Sequence, residues 1–301
     1  MDQIVCSVII INYHTEDLVL NCIESLFLFH SKLKLEVIVI NNGVKLDRLR
    51  LKFLYINIIE SEYNLGFSRG NNLGLKYTTG DYVLFLNADT YFIQSTIDDC
   101  IIEMERDNSI GVLGCKLQYP DGRAQLSYHD GHLFLKKSLW RNPFVIKFFN
   151  GSKKALKSLE QIKKDHHSSH YAPWISGAFF LMRKSDILDF QLFWDEDFFM
   201  YWEDVELCAR IKEVKKMCFY YADKTVVHIG GSGESEFNSK RYQIIENAKL
   251  KCISKNRNEF ITKMYILIMK LNLWMERYLI KRAGKEIPPV LKIEMDYYNH
   301  L

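Results

Sequence analysis

Carboxylates stand at two points of the chain where their position would let them do chemistry. Asp89 ends the apolar segment DYVLFLNAD, two residues after Asn87. A carboxylate held at a strand end can bind a divalent cation through oxygen. Glu203 and Asp204 open a helical pattern, and a fixed carboxylate there can remove a proton from a substrate hydroxyl. Ordinary turns and helix starts carry the same residue types, so these acids alone leave both interpretations open.

A histidine and a glycine-rich segment are further candidates. His228 follows two β-branched residues in VVHIGGSG, so a strand end could present its imidazole as a second metal ligand. A buried, hydrogen-bonded histidine fits the same pattern. NLGFSRGNNLG, residues 64–74, leads into a helix whose backbone N–H groups could approach a ligand closely. Helix capping and packing explain that segment equally well.

The elements that must position these residues alternate between strand and helix patterns. Apolar, β-branched runs predict strands at 4–12, 35–42, 53–60 and 81–89, and helical spacing predicts helices at 15–30 and 67–77. Alternation of this kind predicts an α/β fold with a Rossmann-like, mostly parallel sheet flanked by helices. Ligands of such sheets bind beyond the carboxyl ends of the strands, where Asn12, Asn41 and Asn87 stand.

The later part of the chain divides into a return to the sheet and a helical end. WISGAFFLMRKSDI predicts a strand and a short helix, and the stretch from 237 to about 285 predicts one or two long helices. We therefore expect a catalytic domain at 1–232 and a helical C-terminal extension at 233–301. The extension combines Trp and Leu with regularly spaced Lys and Arg, which suits either a membrane interface or a core or dimer helix.

Composition excludes several classes of protein. The 301 residues carry a formal net charge of +3, which gives no reason to expect nucleic-acid binding. Seven scattered cysteines without a C-x-x-C pair disfavour a disulfide framework and a zinc knuckle. The N-terminus does not resemble a secretory signal, and no apolar stretch approaches the ~20 residues that cross a bilayer. We expect a cytoplasmic protein, with peripheral contact at the inner face of the plasma membrane.

Seven motifs in order resemble one enzyme family. They are VIIINYH, EVIVINNG, NLGFSRGNNLG, GDYVLFLNADT, WISGAFFLMRKSDI, FFMYWEDVELCARI and VVHIGGSG, spread over residues 5–232. Together they resemble the inverting glycosyltransferase family 2, with its GT-A fold, and most closely its bacterial rhamnosyltransferase-like branch. The resemblance implies transfer of a sugar, rhamnose in that branch, from a nucleotide-diphosphate donor to a saccharide or lipid-linked acceptor. Polysaccharide or O-antigen synthesis is the pathway it implies.

The resemblance also assigns roles to individual positions. Donor binding falls to Asn12, Tyr13, Asn41, Asn64, Gly70, Asn71 and Asn87, with Arg69 as a phosphate partner. Asn41 and Asn87 are departures, since the family has an aspartate at each of these positions. Mg²⁺ or Mn²⁺ is assigned to Asp89 and His228, and the catalytic base to Asp204 with Glu203 beside it. Trp174 and Trp202 resemble aromatic positions that stack on an acceptor sugar, although buried core aromatics remain the alternative.

Three other functions remain to be weighed. A transferase for another hexose or an N-acetylhexosamine differs from a rhamnosyltransferase only in pocket contacts. A non-catalytic nucleotide-sugar-binding module is compatible with the amides at Asn41 and Asn87. A nucleotidyltransferase would be expected to carry a glycine- and basic-rich phosphate loop after its first strand, and NYHTED does not resemble one.

Overall fold

The computed structural model describes residues 5–128, 166–230 and 239–301, which fall into two compact units. Residues 5–128 and 166–230 form the first unit, and residues 239–301 belong to the second. The predicted domain boundary between 232 and 233 lies outside the described residues, so it stays a prediction.

A mixed sheet is the centre of the first unit. Its strands are β1 (Cys6–Asn12), β2 (Leu35–Asn41), β3 (Asn57–Glu60), β4 (Tyr82–Asn87), β5 (Thr90–Phe92), β6 (Ile110–Gln118), β7 (His170–Ala172), β8 (Phe179–Arg183) and β9 (Met217–His228). Their order is β3-β2-β1-β4-β8-β6-β9-β5, and β7 pairs with β9. The predicted α/β fold with a central sheet is confirmed.

Helices cover both faces of the sheet. Within the described part of the first unit they are α1 (Glu16–Phe29), α2 (Asp47–Lys52), α3 (Gly66–Leu75), α4 (Ile97–Arg106), α5 (Lys184–Asp189) and α6 (Glu203–Glu213). Along β1, Val8 and Ile10 pack with residues of α1 and α4, whereas Ile9 packs with residues of α5 and α6. Successive side chains of a strand face opposite ways, so a strand covered on both faces is apolar throughout.

Strand direction brings the polar strand ends to one edge. β3, β2, β1 and β4 are mutually parallel, and β8 runs antiparallel between β4 and β6. Because β6 is antiparallel to β8 and β9 is parallel to β6, β9 ends at the same edge as β1, β2 and β4. The residues just before β8 lie at that edge too.

Two features of the first unit differ from the pattern-based prediction. The strand predicted at 53–60 begins only at Asn57, and α2 precedes it. Phe53 enters the core, but Leu54 and Tyr55 are exposed, so this apolar run is a turn rather than a buried strand. The long strand β9 was predicted only at its end, because polar Asp223 and Lys224 interrupt its pattern.

The second unit is helical. It contains α7 (Ser239–Asn256), α8 (Glu259–Arg282) and α9 (Pro289–Asn299), of which α9 was not predicted. Asn258 caps α8, because its side-chain oxygen accepts the Ile261 N–H at 2.9 Å. A shared core contains Tyr242, Ile253, Met269, Leu273 and Tyr298. Within the described ranges, none of the helices has the length and apolar character that a membrane span requires.

Candidate active site at the carboxyl edge of the sheet

Asp89 and His228 lie in direct contact. Nε2 of His228 is 3.2 Å from Oδ1 of Asp89 and 3.3 Å from Nδ2 of Asn87. The contact follows from strand pairing, since Thr90 of β5 stands opposite His228 of β9. The other carboxylate oxygen of Asp89 accepts the Gly230 N–H at 3.1 Å. The structure therefore brings together the two residues assigned as metal ligands, with Asn87 beside them.

Gln125 holds the imidazole of His228 from behind. Its Oε1 lies 2.6 Å from Nδ1 of His228. A side-chain amide oxygen can only accept a hydrogen bond, so Nδ1 carries the proton and, in a neutral ring, Nε2 keeps its lone pair. That lone pair faces Asp89. Gln125 was not among the predicted site residues, because a single polar residue after a turn has no distinguishing pattern.

The donor set formed by Asp89 and His228 fits a divalent cation. With a neutral ring, Nε2 of His228 and the carboxylate of Asp89 are both lone-pair donors, and imidazole nitrogen and carboxylate oxygen are ligands that divalent cations accept. Among the residues that the structure describes, no three or more His, Cys, Asp or Glu side chains group closely enough to hold a metal. Mg²⁺ and Mn²⁺ commonly bind to few protein ligands, and substrate phosphates and water supply the others. Two protein ligands are therefore compatible with either ion.

Asp204 is held in the first turn of α6 by backbone donors. Its Oδ2 accepts the Gly177 N–H at 3.0 Å, and its Oδ1 accepts the Val205 N–H at 2.8 Å. Burial raises the pKa of Asp204 above that of an ordinary aspartate, and the Gly177 N–H and the Trp174 indole partly oppose this rise. The carboxylate is thus fixed in orientation and more basic than usual, which are properties of a general base.

Glu203 shares the same first turn but differs from Asp204 in its surroundings. Only 6% of Glu203 is exposed, and no group in the described ranges hydrogen-bonds its Oε2. Burial first, and then the negative charge of Asp204, raise the pKa of Glu203 well above its usual range. Burial therefore favours the neutral form of Glu203, whereas the backbone N–H groups of Gly177 and Val205 favour the ionised form of Asp204. Of the two acids assigned to catalysis, Asp204 is the one with the geometry of a base.

The turn before α6 has an uncommon backbone conformation. Tyr201 and Trp202 have φ values of 71° and 69°, in the left-handed region that non-glycine residues rarely occupy. Such conformations concentrate at functional sites, where surrounding contacts maintain them. Trp202 precedes the two acids directly, and Trp174 contacts Asp204, so both predicted aromatic positions lie beside the base. Both are partly buried, and their stacking on a sugar stays a prediction.

The consecutive residues Gly177 and Ala178 lie between Asp204 and the segment that carries Asn87 and Asp89. Ala178 accepts the Asn87 N–H through its carbonyl at 3.1 Å, and Gly177 donates its N–H to Asp204. Asn87 is two residues from Asp89, so the base and the His228 contact occupy neighbouring positions along one edge. That Asp89, His228 and Asp204 act on one substrate stays a prediction.

At the β1–β2 end of the edge, polar side chains bind one another. Asn12 and Asn41 are fully buried, and Nδ2 of Asn12 donates to Oδ1 of Asn41 at 2.7 Å. Nδ2 of Asn41 donates to the carbonyl of Val44 at 2.8 Å and to Oε2 of Glu60 at 2.6 Å. Oδ1 of Asn12 also accepts from Thr15. Both amides support the edge in this structure, and their contact with a donor stays a prediction.

Asn64 and Arg69 line an open cavity of about 310 Å³ with Tyr63 and Phe199. Oδ1 of Asn64 accepts the Gly66 N–H at 2.9 Å, which fixes the start of α3. Gly66 has a φ of 73°, and a Cβ there would lie 2.4 Å from the Phe199 carbonyl, so glycine is required. The Arg69 guanidinium lies 3.7 Å from Glu196 and is half-exposed, which leaves it accessible to an anion.

Three further predicted donor residues have different surroundings. Gly70 is buried. A Cβ at this position would lie only 2.9 Å from the side chain of Ile11. Asn71 is 1% exposed and donates to the Phe67 carbonyl at 3.1 Å. Tyr13 is exposed beside His14. Gly70 therefore lets α3 approach β1 closely, Asn71 bonds within α3, and the exposed ring of Tyr13 is accessible to a ligand.

Comparison with known sequences gives the family. The family model described as glycosyl transferase family 2 matches residues 7–186, more than half of the chain. Rhamnosyltransferase WbbL of Escherichia coli K12 is 28% identical over 185 residues, covering 59% of this chain and 66% of that protein. An uncharacterized glycosyltransferase of Haemophilus influenzae is 28% identical over 149 residues, covering 46% of this chain and 44% of that protein. The chain thus spans less than two thirds of either curated relative.

Solved structures share the fold at low sequence identity. The mannosyltransferase PcManGT of Pyrobaculum calidifontis, in complex with GDP-Man and Mn²⁺, has a TM-score of 0.59 at 12% identity, covering 98% of this chain and 84% of that one. GalNAc-T7 with UDP, GalNAc and Mn²⁺ has a TM-score of 0.56 at 12% identity, covering 84% and 51%. S. aureus TarS 1-349 with UDP has a TM-score of 0.54 at 15% identity, covering 89% and 70%. The chain adopts the GT-A fold and belongs to glycosyl transferase family 2.

Proposed function

We propose that the protein is a metal-dependent, inverting hexosyltransferase that uses a nucleotide-diphosphate sugar as donor and a saccharide as acceptor. One observation supports this function above the others. A basic, backbone-anchored carboxylate, Asp204, lies along the same edge as the Asp89–His228 contact. Proton removal and stabilisation of a leaving diphosphate are the two requirements of sugar transfer by direct displacement.

The reaction proceeds in one displacement. Asp204 accepts the proton of an acceptor hydroxyl as that oxygen forms a bond to the anomeric carbon of the donor. The bond from the anomeric carbon to the diphosphate oxygen breaks, and the diphosphate leaves with the electron pair. Attack from the face opposite the leaving group inverts the anomeric configuration.

Asp89 and His228 would hold the Mg²⁺ or Mn²⁺ ion. When bound, the ion acts as a Lewis acid that neutralises charge developing on the diphosphate. Gln125 keeps the Nε2 lone pair of His228 directed at Asp89, and Asn87 lies beside both. In this way the chain fixes its donor set before a ligand arrives, which reduces the reorganisation that binding requires.

The donor sugar is proposed to be rhamnose, with support from the 28% identity to a protein named rhamnosyltransferase. Other hexoses or an N-acetylhexosamine differ in pocket contacts. Arg69 is proposed as a cation that binds the diphosphate, and Tyr63 and Phe199 provide aromatic surface in the same cavity. The solved structures with this fold contain UDP or GDP-Man, so the test must include donors with different nucleotides.

The acceptor is proposed to be a growing saccharide, free or lipid-linked, in bacterial polysaccharide or O-antigen synthesis. We propose a cytoplasmic location with peripheral contact at the inner face of the plasma membrane, since a lipid-linked acceptor is held in a membrane. A homodimer is the other arrangement that an exposed apolar helix face suggests.

A donor panel tests this function. Thermal melts are recorded with dTDP-rhamnose, UDP-glucose, UDP-galactose, UDP-N-acetylglucosamine and GDP-mannose, each with and without Mn²⁺. We expect one donor to raise the melting temperature, and more so with Mn²⁺, since a ligand that binds only the folded state stabilises it. Incubation of that donor with saccharide acceptors should give a product whose anomeric configuration, read by NMR, is opposite to that of the donor.

Other outcomes would decide against parts of this function. Retention of configuration would exclude direct displacement with Asp204 as base. Donor binding without hydrolysis or transfer under any condition would favour a non-catalytic nucleotide-sugar-binding module. Stabilisation by a donor other than dTDP-rhamnose would leave the mechanism intact and correct the sugar.

A further inference from the structure

One face of α8 carries an unbroken row of exposed apolar side chains. They are Phe260, Met264, Leu267, Leu271, Trp274 and Tyr278, spaced by alternating steps of four and three residues. Phe260 and Trp274 are 69% and 65% exposed, and the rings of Trp274 and Tyr278 stack with centroids 6.0 Å apart. At 1.5 Å per residue this helix of 24 residues is about 36 Å long, so the row forms an extended surface. Rows of this size on a soluble domain mark an interaction surface.

Cations follow this row along one side. Lys263, Lys270 and Arg277 recur every seven residues, each exposed and each one position before a residue of the row. Lys281 and Arg282 continue the positive charge at the end of the helix. Of the two acids in α8, Glu259 is exposed and pairs with Lys263 at 2.9 Å, whereas Glu276 is partly buried. The exposed face of α8 is therefore apolar along its middle and basic along its flank.

A second copy of this chain is a poor partner for that face. Pairing two such helices antiparallel would place Lys263, Lys270 and Arg277 against the same cations of the other copy. Pairing them parallel would place these cations against Ile261, Ile268 and Met275. Neither arrangement puts an acid opposite the basic flank, so like charges repel or lose hydration without compensation.

An anionic bilayer surface matches both parts of the face. Phe, Leu and Trp side chains insert at the boundary between headgroups and acyl chains, and Lys and Arg extend from the same helix to anionic headgroups. We propose that this face of α8 is a binding surface for anionic phospholipid membranes, with α8 lying in the plane of the interface. This inference goes beyond sugar transfer, because it concerns a surface that acts without donor or acceptor.

Vesicle flotation with the full-length chain tests the inference. The protein is mixed with vesicles of phosphatidylcholine alone, or with roughly one third phosphatidylglycerol, in the absence of nucleotide-sugar and metal. We expect flotation with the anionic vesicles, weaker flotation with neutral ones, and a decrease as salt screens the cations. The triple variant Lys263→Gln, Lys270→Gln, Arg277→Gln should bind anionic vesicles about 100-fold more weakly, since each cation near the surface contributes about fivefold.

The apolar part of the surface has its own variant. Leu267→Gln with Leu271→Gln should weaken binding about 10-fold or more, because both half-exposed side chains lose their insertion into the interface. Matched controls change the same side-chain types on exposed positions of the first unit. Lys45→Gln, Arg106→Gln and Lys212→Gln form the cation control, and Leu51→Gln with Leu54→Gln forms the apolar control. All of the substituted positions are exposed, so each variant should melt like the wild type.

Three results would overturn this inference. The first is equal flotation with neutral and anionic vesicles, and the second is wild-type binding by the α8 cation variant. The third is a dimer, seen by analytical ultracentrifugation without lipid, that Leu267→Gln with Leu271→Gln converts to a monomer. That result would make the face an interface between two copies. The proposed sugar transfer would survive each of these results, because the vesicle assay contains no donor.

Discussion

Asn41 and His228 lie at opposite ends of one sheet edge and differ in how their polar atoms are satisfied. Asn41 is fully buried and uses both N–H bonds and both lone pairs of its side chain on neighbouring protein groups. His228 is tied to Gln125 on one side but faces the Asp89 carboxylate with its other nitrogen. Glu203 and Asp204 are a second example, since a buried acid and a partly buried acid are adjacent there.

The difference separates scaffolding from chemistry. A saturated hydrogen-bond network fixes the strand ends and leaves nothing for a ligand to satisfy. Adjacent buried acids cost stability unless a proton, a cation or a substrate joins them, and Asp89 with His228 presents two donor atoms to a cation. We therefore expect substitutions at the Asp89–Asp204 end to affect catalysis and metal binding, and substitutions at the Asn41 end to affect stability.

Asp204→Asn should have the largest effect. We expect turnover in the transfer assay to fall by about 10²- to 10⁴-fold, because the amide cannot accept the acceptor proton. The KM for the donor should change little. Thermal stability should decrease slightly, because the amide nitrogen would face one of the two backbone N–H groups, of Gly177 or Val205, while removal of a buried charge offsets part of that cost. Near-normal turnover would show that Asp204 is not the base.

Gln125→Met should have the next largest effect, on metal affinity. Methionine matches glutamine in length but cannot accept the Nδ1–H of His228, so the imidazole loses its fixed tautomer. We expect Mn²⁺ affinity, measured by electron paramagnetic resonance on the protein alone, to fall about 10- to 100-fold. Long-range ¹⁵N NMR of the metal-free protein should show the proton of His228 leaving Nδ1.

Two further variants make the metal experiment decisive. His228→Ala should remove most of the Mn²⁺ binding. Gln118→Met makes the same substitution on β6, the strand that pairs with β9, and should leave Mn²⁺ binding unchanged. If His228→Ala weakens binding but Gln125→Met does not, Gln125 has no positioning role. If both variants bind like the wild type, the ion is not held by His228.

Asn41→Asp tests the opposite end of the edge. An aspartate oxygen in place of Nδ2 would face Oε2 of Glu60, which now accepts at 2.6 Å, and the Val44 carbonyl at 2.8 Å. We expect a loss of about 1 to 2 kcal/mol in the free energy of unfolding, measured by denaturant titration, because two acceptors would repel. Asn64→Asp is the control, since its Oδ1 keeps the Gly66 N–H. Unchanged stability in Asn41→Asp would mean that Glu60 does not accept from Asn41.

Continuous apolar runs made the parallel half of the fold predictable. β1, β2 and β4 are buried on both faces, and their sequences show it without any knowledge of their partners. β9 was recognised only at VVH, because its formation depends on pairing with β6, which sequence patterns do not report. Leu54 and Tyr55 led to the opposite error: their apolar side chains were interpreted as part of a buried strand, but both are exposed in a turn.

The sequence was sufficient to name the candidate site residues, but not to predict which hydrogen-bond partners each of them has. Ordered motifs brought Asp89, His228 and Asp204 to notice, and the structure places them along one edge. Which of two adjacent acids is hydrogen-bonded depends on Gly177, a residue distant in sequence. The saturation of Asn41 by Glu60 depends on the register of β2 and β3. Such pairwise contacts come from the packed fold, so neither spacing nor residue type could reveal them.

Glu203→Gln should have the smallest effect, and it separates the two adjacent acids. Because Glu203 is the more basic member of the pair, it is already neutral when Asp204 ionises, and glutamine imitates that neutral state. The rate should still fall as pH decreases through the raised pKa of Asp204, since only the ionised carboxylate accepts a proton. We therefore expect turnover within about threefold of wild type and an unchanged acid limb in the pH profile. A loss of turnover in Glu203→Gln as large as in Asp204→Asn would identify Glu203 as the catalytic base. The backbone N–H groups of Gly177 and Val205 would then bind a carboxylate that takes no part in proton transfer.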